Sequence, residues 1–248
     1  MSEQSLPNRA RETGKLWLRR ALQRADVEIG RGTYAGRVAR TLSALGVDTV
    51  LDVGANVGQY AALVRGAGFE GRIISCEPLS GAHAGLSSRS ERDDGWLALH
   101  VAVGAEPGTA KINVAANSFS SSLRNMTQAH LSTAPGSRYV ATETVPVTTV
   151  SQLVRDHGID PATTLLKIDT QGFEDEVLTG ADELVGRLAA IQLELSFVEL
   201  YEGQRLFDDL VARMSSHGYR IQQLEPGISD ADGRLLQVDG LFVLDTDA

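Results

Sequence analysis

From Thr49 onward the chain alternates short runs of β-favouring residues with longer amphipathic segments, and this alternation constrains the fold more than any other feature. Thr49–Val53 (TVLDV), Arg72–Cys76 (RIISC) and residues 96–103 (WLALHVAV) read as strands. Between them, 60–65 (YAALVR) and a Gly/Ala/Ser-rich stretch near 81–88 read as helices. Such a rhythm builds a doubly wound α/β domain, a parallel sheet with right-handed crossovers and helices on both faces. Residues 109–114 and 143–147 read as further strands, and the Ser/Thr/Asn-rich stretch 115–139 between them is long enough to be a functional loop or lid. Alternation resumes with a strand at Thr164–Ile168, a helix over 174–188, a strand at 191–195 and a helix over 204–216 that stops at Gly218. A closing hairpin is predicted from 219–224 and 240–244.

Charge divides the chain. It has 248 residues with 23 Lys and Arg against 32 Asp and Glu, a net −9. Residues 1–40 hold nine basic and four acidic side chains, so that segment stands at +5 and the remainder at −14. An acidic domain of this kind argues against general nucleic-acid binding, which needs surplus Lys and Arg to neutralise phosphates. Within the basic segment Leu16, Trp17, Leu18 and Leu22, then Val38, Leu42 and Leu45, predict two helices broken near Gly30 to Gly32. Residues 1–45 are therefore read as a helical extension, packing on the domain at 46–248 or on another subunit. Its basic residues and Trp17 are also suited to peripheral contact with a membrane surface. The single cysteine, Cys76, excludes an intrachain disulfide framework and suits a reducing cytoplasm. No apolar signal segment or membrane-spanning run is visible, and the sequon at Asn125 reads as chance.

The chemistry concentrates in three places. Leu51-Asp52-Val53-Gly54-Ala55-Asn56-Val57-Gly58 sets a glycine turn directly after the first strand, where doubly wound sheets bind nucleotides. Glu77, followed by Pro78, ends the second strand, where a carboxylate accepts both hydrogens of a ribose diol. A dinucleotide fingerprint G-x-G-x-x-G aligned on Gly54 would need glycines at Asn56 and Gln59, so an NAD-dependent oxidoreductase is the weaker reading. Asp52 would repel a pyrophosphate but attract an ammonium group. S-adenosylmethionine carries both ribose and ammonium. The plainer alternative is a glycine turn with a structural Asp52.

The run LDVGANVGQY, Cys76-Glu77-Pro78, Ser121-Ser122-Leu123, and Leu166-Lys167-Ile168-Asp169-Thr170-Gln171-Gly172-Phe173-Glu174 with Val177-Leu178 and Gly180-Ala181 together resemble the FkbM family of S-adenosylmethionine-dependent methyltransferases. The resemblance spans about 50–244. It implies a Rossmann-like seven-stranded sheet with an antiparallel last strand, and O-methylation, often of sugars on natural products or glycolipids. It also implies that Asp52, Gly54, Asn56, Gly58, Glu77 and Pro78 bind the cofactor. The family usually shows K-I-D-x-E-G, whereas Gln171 here replaces its second acid, and a neutral amide neither accepts a proton nor holds a divalent cation as a carboxylate does. That departure motivates a further reading, a methyltransferase-like protein that binds without turnover.

Methyl transfer to a hydroxyl needs alignment and a base. Asp169, leaving the carboxyl end of its strand, is the first candidate base; alternatively it caps the next helix or holds Lys167. Glu194 lies on the same rim. The two acids could share Mg²⁺ or Mn²⁺, but Gln171 removes a third ligand and a metal-free mechanism is preferred. His130, in the predicted lid, is a secondary base candidate. Ser121, Ser122 and Gln171 are candidates for orienting the acceptor.

Overall fold

The computed structural model describes residues 32–245, so the first predicted helix and most of the basic segment lie outside the described residues. Seven strands form the main sheet: β1 (Thr49–Val53), β2 (Arg72–Cys76), β3 (Trp96–Leu99), β7 (Thr164–Ile168), β8 (Ala190–Ser196), β9 (Tyr219–Pro226) and β10 (Gln237–Leu244), in the order β3-β2-β1-β7-β8-β10-β9. The β1, β2, β3, β7 and β8 pairings are parallel. β10 runs antiparallel to both β8 and β9, so the last strand slots between its neighbours in the opposite direction.

Strands β1 and β7 are buried along their whole length, as a parallel sheet covered on both faces requires. Leu51, Val53, Ile74, Leu166 and Ile168 face α5 (Val150–His157), α6 (Glu174–Ala181) and α7 (Phe207–Ser216). Val50, Ile73 and Leu165 face the other way, packing with α1 (Tyr34–Ala44) through Val38 and Leu42, α2 (Gln59–Gly66) and α3 (Ser80–Ser90). Burying each such aliphatic side chain contributes about 1.5–3 kcal/mol. Helix α5 was not singled out from the sequence; Thr149 caps its start, accepting from Gln152 N at 3.1 Å, and Gly158 ends it at φ +59°.

Two expectations are corrected. Residues 96–103 are not one strand: the chain leaves the main sheet at His100, and Ala102–Val103 is a separate short strand, β4. It joins a second sheet, ordered β4-β6-β5, with β5 (Gly108–Ala115) and β6 (Tyr139–Thr148) antiparallel. An unbroken apolar run does not reveal which sheet each half enters. The helix predicted over 174–188 stops at Ala181, because Asp182 takes φ +49° and breaks the helical ladder; Val185 and Leu188 still bury themselves after a tight turn. The stretch 116–138 connects β5 to β6 and includes one short helix, α4 (Gln128–Thr133).

Candidate active site

The carboxyl ends of the parallel strands open onto a cavity of about 310 Å³, within the range of small-molecule sites. Its wall on one side begins at the turn after β1. Gly54 stands at φ +77°, and a Cβ there would lie 1.9 Å from the Asp169 carbonyl oxygen, so only glycine lets the ends of β1 and β7 approach this closely. The turn spends its own amides. Gly54 N and Ala55 N donate to Cys76 O, Gly58 N to Ala55 O, Val57 N to Asn56 Oδ1, and Asn56 N to Glu77 Oε2 at 2.8 Å.

Glu77 is buried at the end of β2, and its other oxygen accepts from Leu79 N at 2.8 Å. Burial pushes its carboxyl up to about 7, against the opposing pull of the two amides and of Lys167. Each oxygen keeps a lone pair, and the side chain lines the cavity beside Pro78. Next to it Leu79, Ala102, Ile112 and Leu123 make an apolar shelf.

The opposite end is acidic. Asp169 follows β7, Glu194 sits in β8 and Asp239 in β10, where it is the register partner of Glu194. Gln171, at φ +57°, lies between the first two and donates from Nε2 to Asp169 Oδ1 at 2.9 Å and to Glu194 Oε2 at 2.8 Å. Its Oε1 accepts from the Tyr201 hydroxyl at 2.7 Å. Burial drives the Glu194 carboxyl well above its ordinary range, and the Asp169 and Glu174 charges add to that. Burial and the Asp169 charge likewise push Asp239 up to about 6. The turn after Asp169 is held by Glu174, whose Oε1 accepts from Thr170 N at 3.0 Å and Gly172 N at 3.1 Å. Under this end lies Lys167, whose Nζ is 3.1 Å from Asp52 Oδ1, 3.4 Å from Asp169 Oδ2 and donates to Gly54 O at 3.2 Å. Burial alone would lower its ammonium; the Asp52 and Asp169 charges outweigh that and keep it protonated.

Gly54, Asn56, Glu77, Pro78, Ser121, Ser122, Asp169, Gln171 and Glu194 all line the cavity. Three expected site residues do not. Asp52 is fully buried within β1, because its side chain turns to the register partner Lys167 and accepts from Ser75 Oγ; it is a counter-ion, with no face toward a ligand. Gly58 packs where a Cβ would collide with the Trp96 ring at 2.6 Å, so it shapes the turn from behind. His130 is only 2 % exposed and sits edge-on to Tyr201, ring centroids 5.0 Å apart; burial lowers its pKa, and it reaches no cavity surface from which to act as a base. The polar stretch divides similarly. Residues 118–123 roof the cavity, whereas the segment after it docks on the loop following β8 through Thr127 N to Leu200 O and Glu202 N to Asn125 O. Ser121 Oγ accepts from Ala115 N, and Ser122 Oγ donates to Gln171 O.

Sequence reasoning did not single out Asp239, which lines the cavity, or Tyr201, which bonds Gln171. Neither belongs to a motif, and only the pairing of β10 with β8 brings Asp239 to the rim. Among the described residues no group of three or more His, Cys, Asp or Glu is arranged to hold a metal ion, and no helix is long and apolar enough to cross a membrane.

Comparison with solved structures finds distant likenesses. Magnesium protoporphyrin IX methyltransferase from Synechocystis PCC 6803, solved with bound S-adenosylmethionine, is 10% identical with a TM-score of 0.45, covering 98% of this chain and 100% of that one. The precorrin-6y C5,15-methyltransferase from Geobacter metallireducens GS-15 is 11% identical at a TM-score of 0.44, covering 84% and 87%. The 1,6-didemethyltoxoflavin-N1-methyltransferase of Burkholderia thailandensis is 10% identical at 0.41, covering 99% and 93%. Likenesses this remote carry no argument about residue roles. A search of curated proteins found no match. Residues 52–221, more than half of the chain, match the family model described as the methyltransferase FkbM domain, and the chain belongs to that family.

Proposed function

We propose that the protein transfers a methyl group from S-adenosylmethionine to a hydroxyl of a small-molecule or glycan acceptor, with a sugar as the acceptor class. The observation that carries this reading is the continuity of one cavity from the Gly54 turn and Glu77 to the paired carboxylates of Asp169 and Glu194. The donor set fits the cofactor. Glu77 has free lone pairs for a ribose diol, and the Leu79, Ala102 and Ile112 shelf beside it suits an apolar ring face. The end that carries Asp169 and Asp239 beside Glu194 attracts a ligand bearing sulfonium and ammonium charges. A dinucleotide is disfavoured twice over. The amides from Gly54 to Gly58 are engaged within the protein, and among the described residues no Lys or Arg lines the cavity to meet a pyrophosphate.

When bound, S-adenosylmethionine supplies a methyl group already activated on sulfur. The chain's own work is to exclude water with the roof at 118–123, orient the acceptor, and take its hydroxyl proton. Asp169 is the base, tethered by the Gln171 amide at Oδ1 and paired with Lys167 at Oδ2. Glu194, whose carboxyl burial drives toward the protonated form, donates to or accepts from a neighbouring sugar hydroxyl. The test is transfer of label from methyl-labelled S-adenosylmethionine to a panel of glycosides and nucleotide sugars. Methyl ether formation is expected, and Asp169→Asn should lower turnover by about 10²–10⁴-fold while leaving S-adenosylhomocysteine binding intact. Label appearing only on nitrogen or sulfur, or an Asp169→Asn enzyme as fast as its parent, would contradict the reading.

Cofactor affinity carries a pH signature. A ribose diol donates to the ionised form of Glu77, whose carboxyl stands at about 7 in the free protein. S-adenosylhomocysteine binding followed by calorimetry from pH 5.5 to 8.5 should therefore tighten by up to about tenfold per unit as pH rises toward 7, then level off. The stability term has the opposite sense. Because folding raises this carboxyl from 4.5, its contribution is fully present below about 4.5 and is lost as pH rises through 7. Affinity that weakens with rising pH below 7 would remove Glu77 from the ribose site.

A further inference from the structure

Gln171 occupies an unusual place. Both hydrogens of its amide are spent on carboxylates, Asp169 at 2.9 Å and Glu194 at 2.8 Å, while its oxygen takes the Tyr201 hydroxyl proton at 2.7 Å. The Asp169 and Glu194 oxygens accept at one end of the amide, and the Tyr201 hydroxyl, which shares its proton between Gln171 Oε1 and Ser120 O at 3.3 Å, donates at the other. The backbone is committed to this arrangement too: Gln171 stands at φ +57°, and Gly172 at φ +92° lies where a Cβ would be 2.7 Å from Tyr201 Cβ. The nitrogen thus sits between the Asp169 and Glu194 side chains, bonded to an oxygen of each, a position from which one divalent cation would also touch both. A carboxylate at 171 would keep the Tyr201 bond but set a third acid about 3 Å from the other two, an arrangement that a divalent cation stabilises.

We propose that Gln171 is a positioning residue whose amide does the work of a divalent cation, clamping Asp169 and Glu194 together so that the base is held without metal, and that residue 171 decides whether this site requires one. The proposal rests on Asp169 being the base, but its test involves no methyl transfer, so the two fail separately. Wild type, Gln171→Glu and Gln171→Glu/Asp169→Asn are titrated with Mn²⁺, following the free ion by electron paramagnetic resonance and stability by thermal melting. Wild type should leave Mn²⁺ free and its Tm unmoved. Gln171→Glu should melt about 2–4 °C lower without metal, bind one Mn²⁺ and regain the loss, and the double variant should bind none. If Gln171→Glu does not fold in either condition, Gln171→Asp, with its charge one methylene further back, is read in the same way. Mn²⁺ binding by wild type that Asp169→Asn abolishes would overturn the proposal, as would an acidic residue at 171 that is indifferent to Mn²⁺.

Discussion

Replacing Lys167 with methionine should cost the fold about 3–5 kcal/mol, because it strands Asp52 as an uncompensated charge in the middle of the sheet. Asp52 has no exposed surface and Lys167 is 5 % exposed, so water cannot substitute for the lost partner. The ion pair between them at 3.1 Å joins β1 to β7, and the same ammonium reaches Gly54 O and Asp169. Urea denaturation should register the loss as a lower midpoint with an unchanged slope. Lys167→Met combined with Asp52→Asn should recover a large part of it, since no charge is then left buried. A single variant losing less than about 1 kcal/mol would mean that the pair is not the electrostatic keystone described here.

Gly54→Ala should be nearly as damaging and should strike the site directly. The added methyl would sit 1.9 Å from the Asp169 carbonyl oxygen and 2.8 Å from its carbon, and neither atom belongs to a flexible side chain. Relief requires β1 and β7 to part at their carboxyl ends, where the glycine turn meets Asp169. A loss of about 3 kcal/mol or more, with S-adenosylhomocysteine binding abolished, is expected from the overlap and the positive φ together. Gly68 provides the control, since it also has a positive φ, +94°, but nothing lies within 4 Å of its notional Cβ. Gly68→Ala should show the backbone cost alone, about 1 kcal/mol, with binding retained. Equal losses at the two positions would show that the contact with Asp169 does not matter.

Much of this architecture was legible because its signals are local. Apolar runs such as Thr49–Val53 and Thr164–Ile168, bounded by glycine turns, fix strands of a sheet buried on both faces, and the acid at Glu77 follows from its place at the end of β2. What failed was long-range. Asp52 lies next to the ligand turn in sequence, but strand alternation points it away from the cavity, and only the pairing of β1 with β7 sets it against Lys167. His130 lies in a polar segment that reads as a lid, yet that segment folds a short helix whose inner face packs on Tyr201. Asp239 becomes a site residue only because β10 inserts beside β8. Gln171 was recognised as a departure from the family motif, but its meaning depends on two carboxylates and a tyrosine brought together by the fold.

Calorimetry of the 248-residue chain with S-adenosylhomocysteine and, separately, with NAD distinguishes the two cofactors. A cavity with Glu77 free to accept at one end and carboxylates at the other should bind S-adenosylhomocysteine with one-to-one stoichiometry and leave NAD unbound. NAD binding in the absence of any response to S-adenosylhomocysteine would rule out a methyltransferase cofactor site in this cavity.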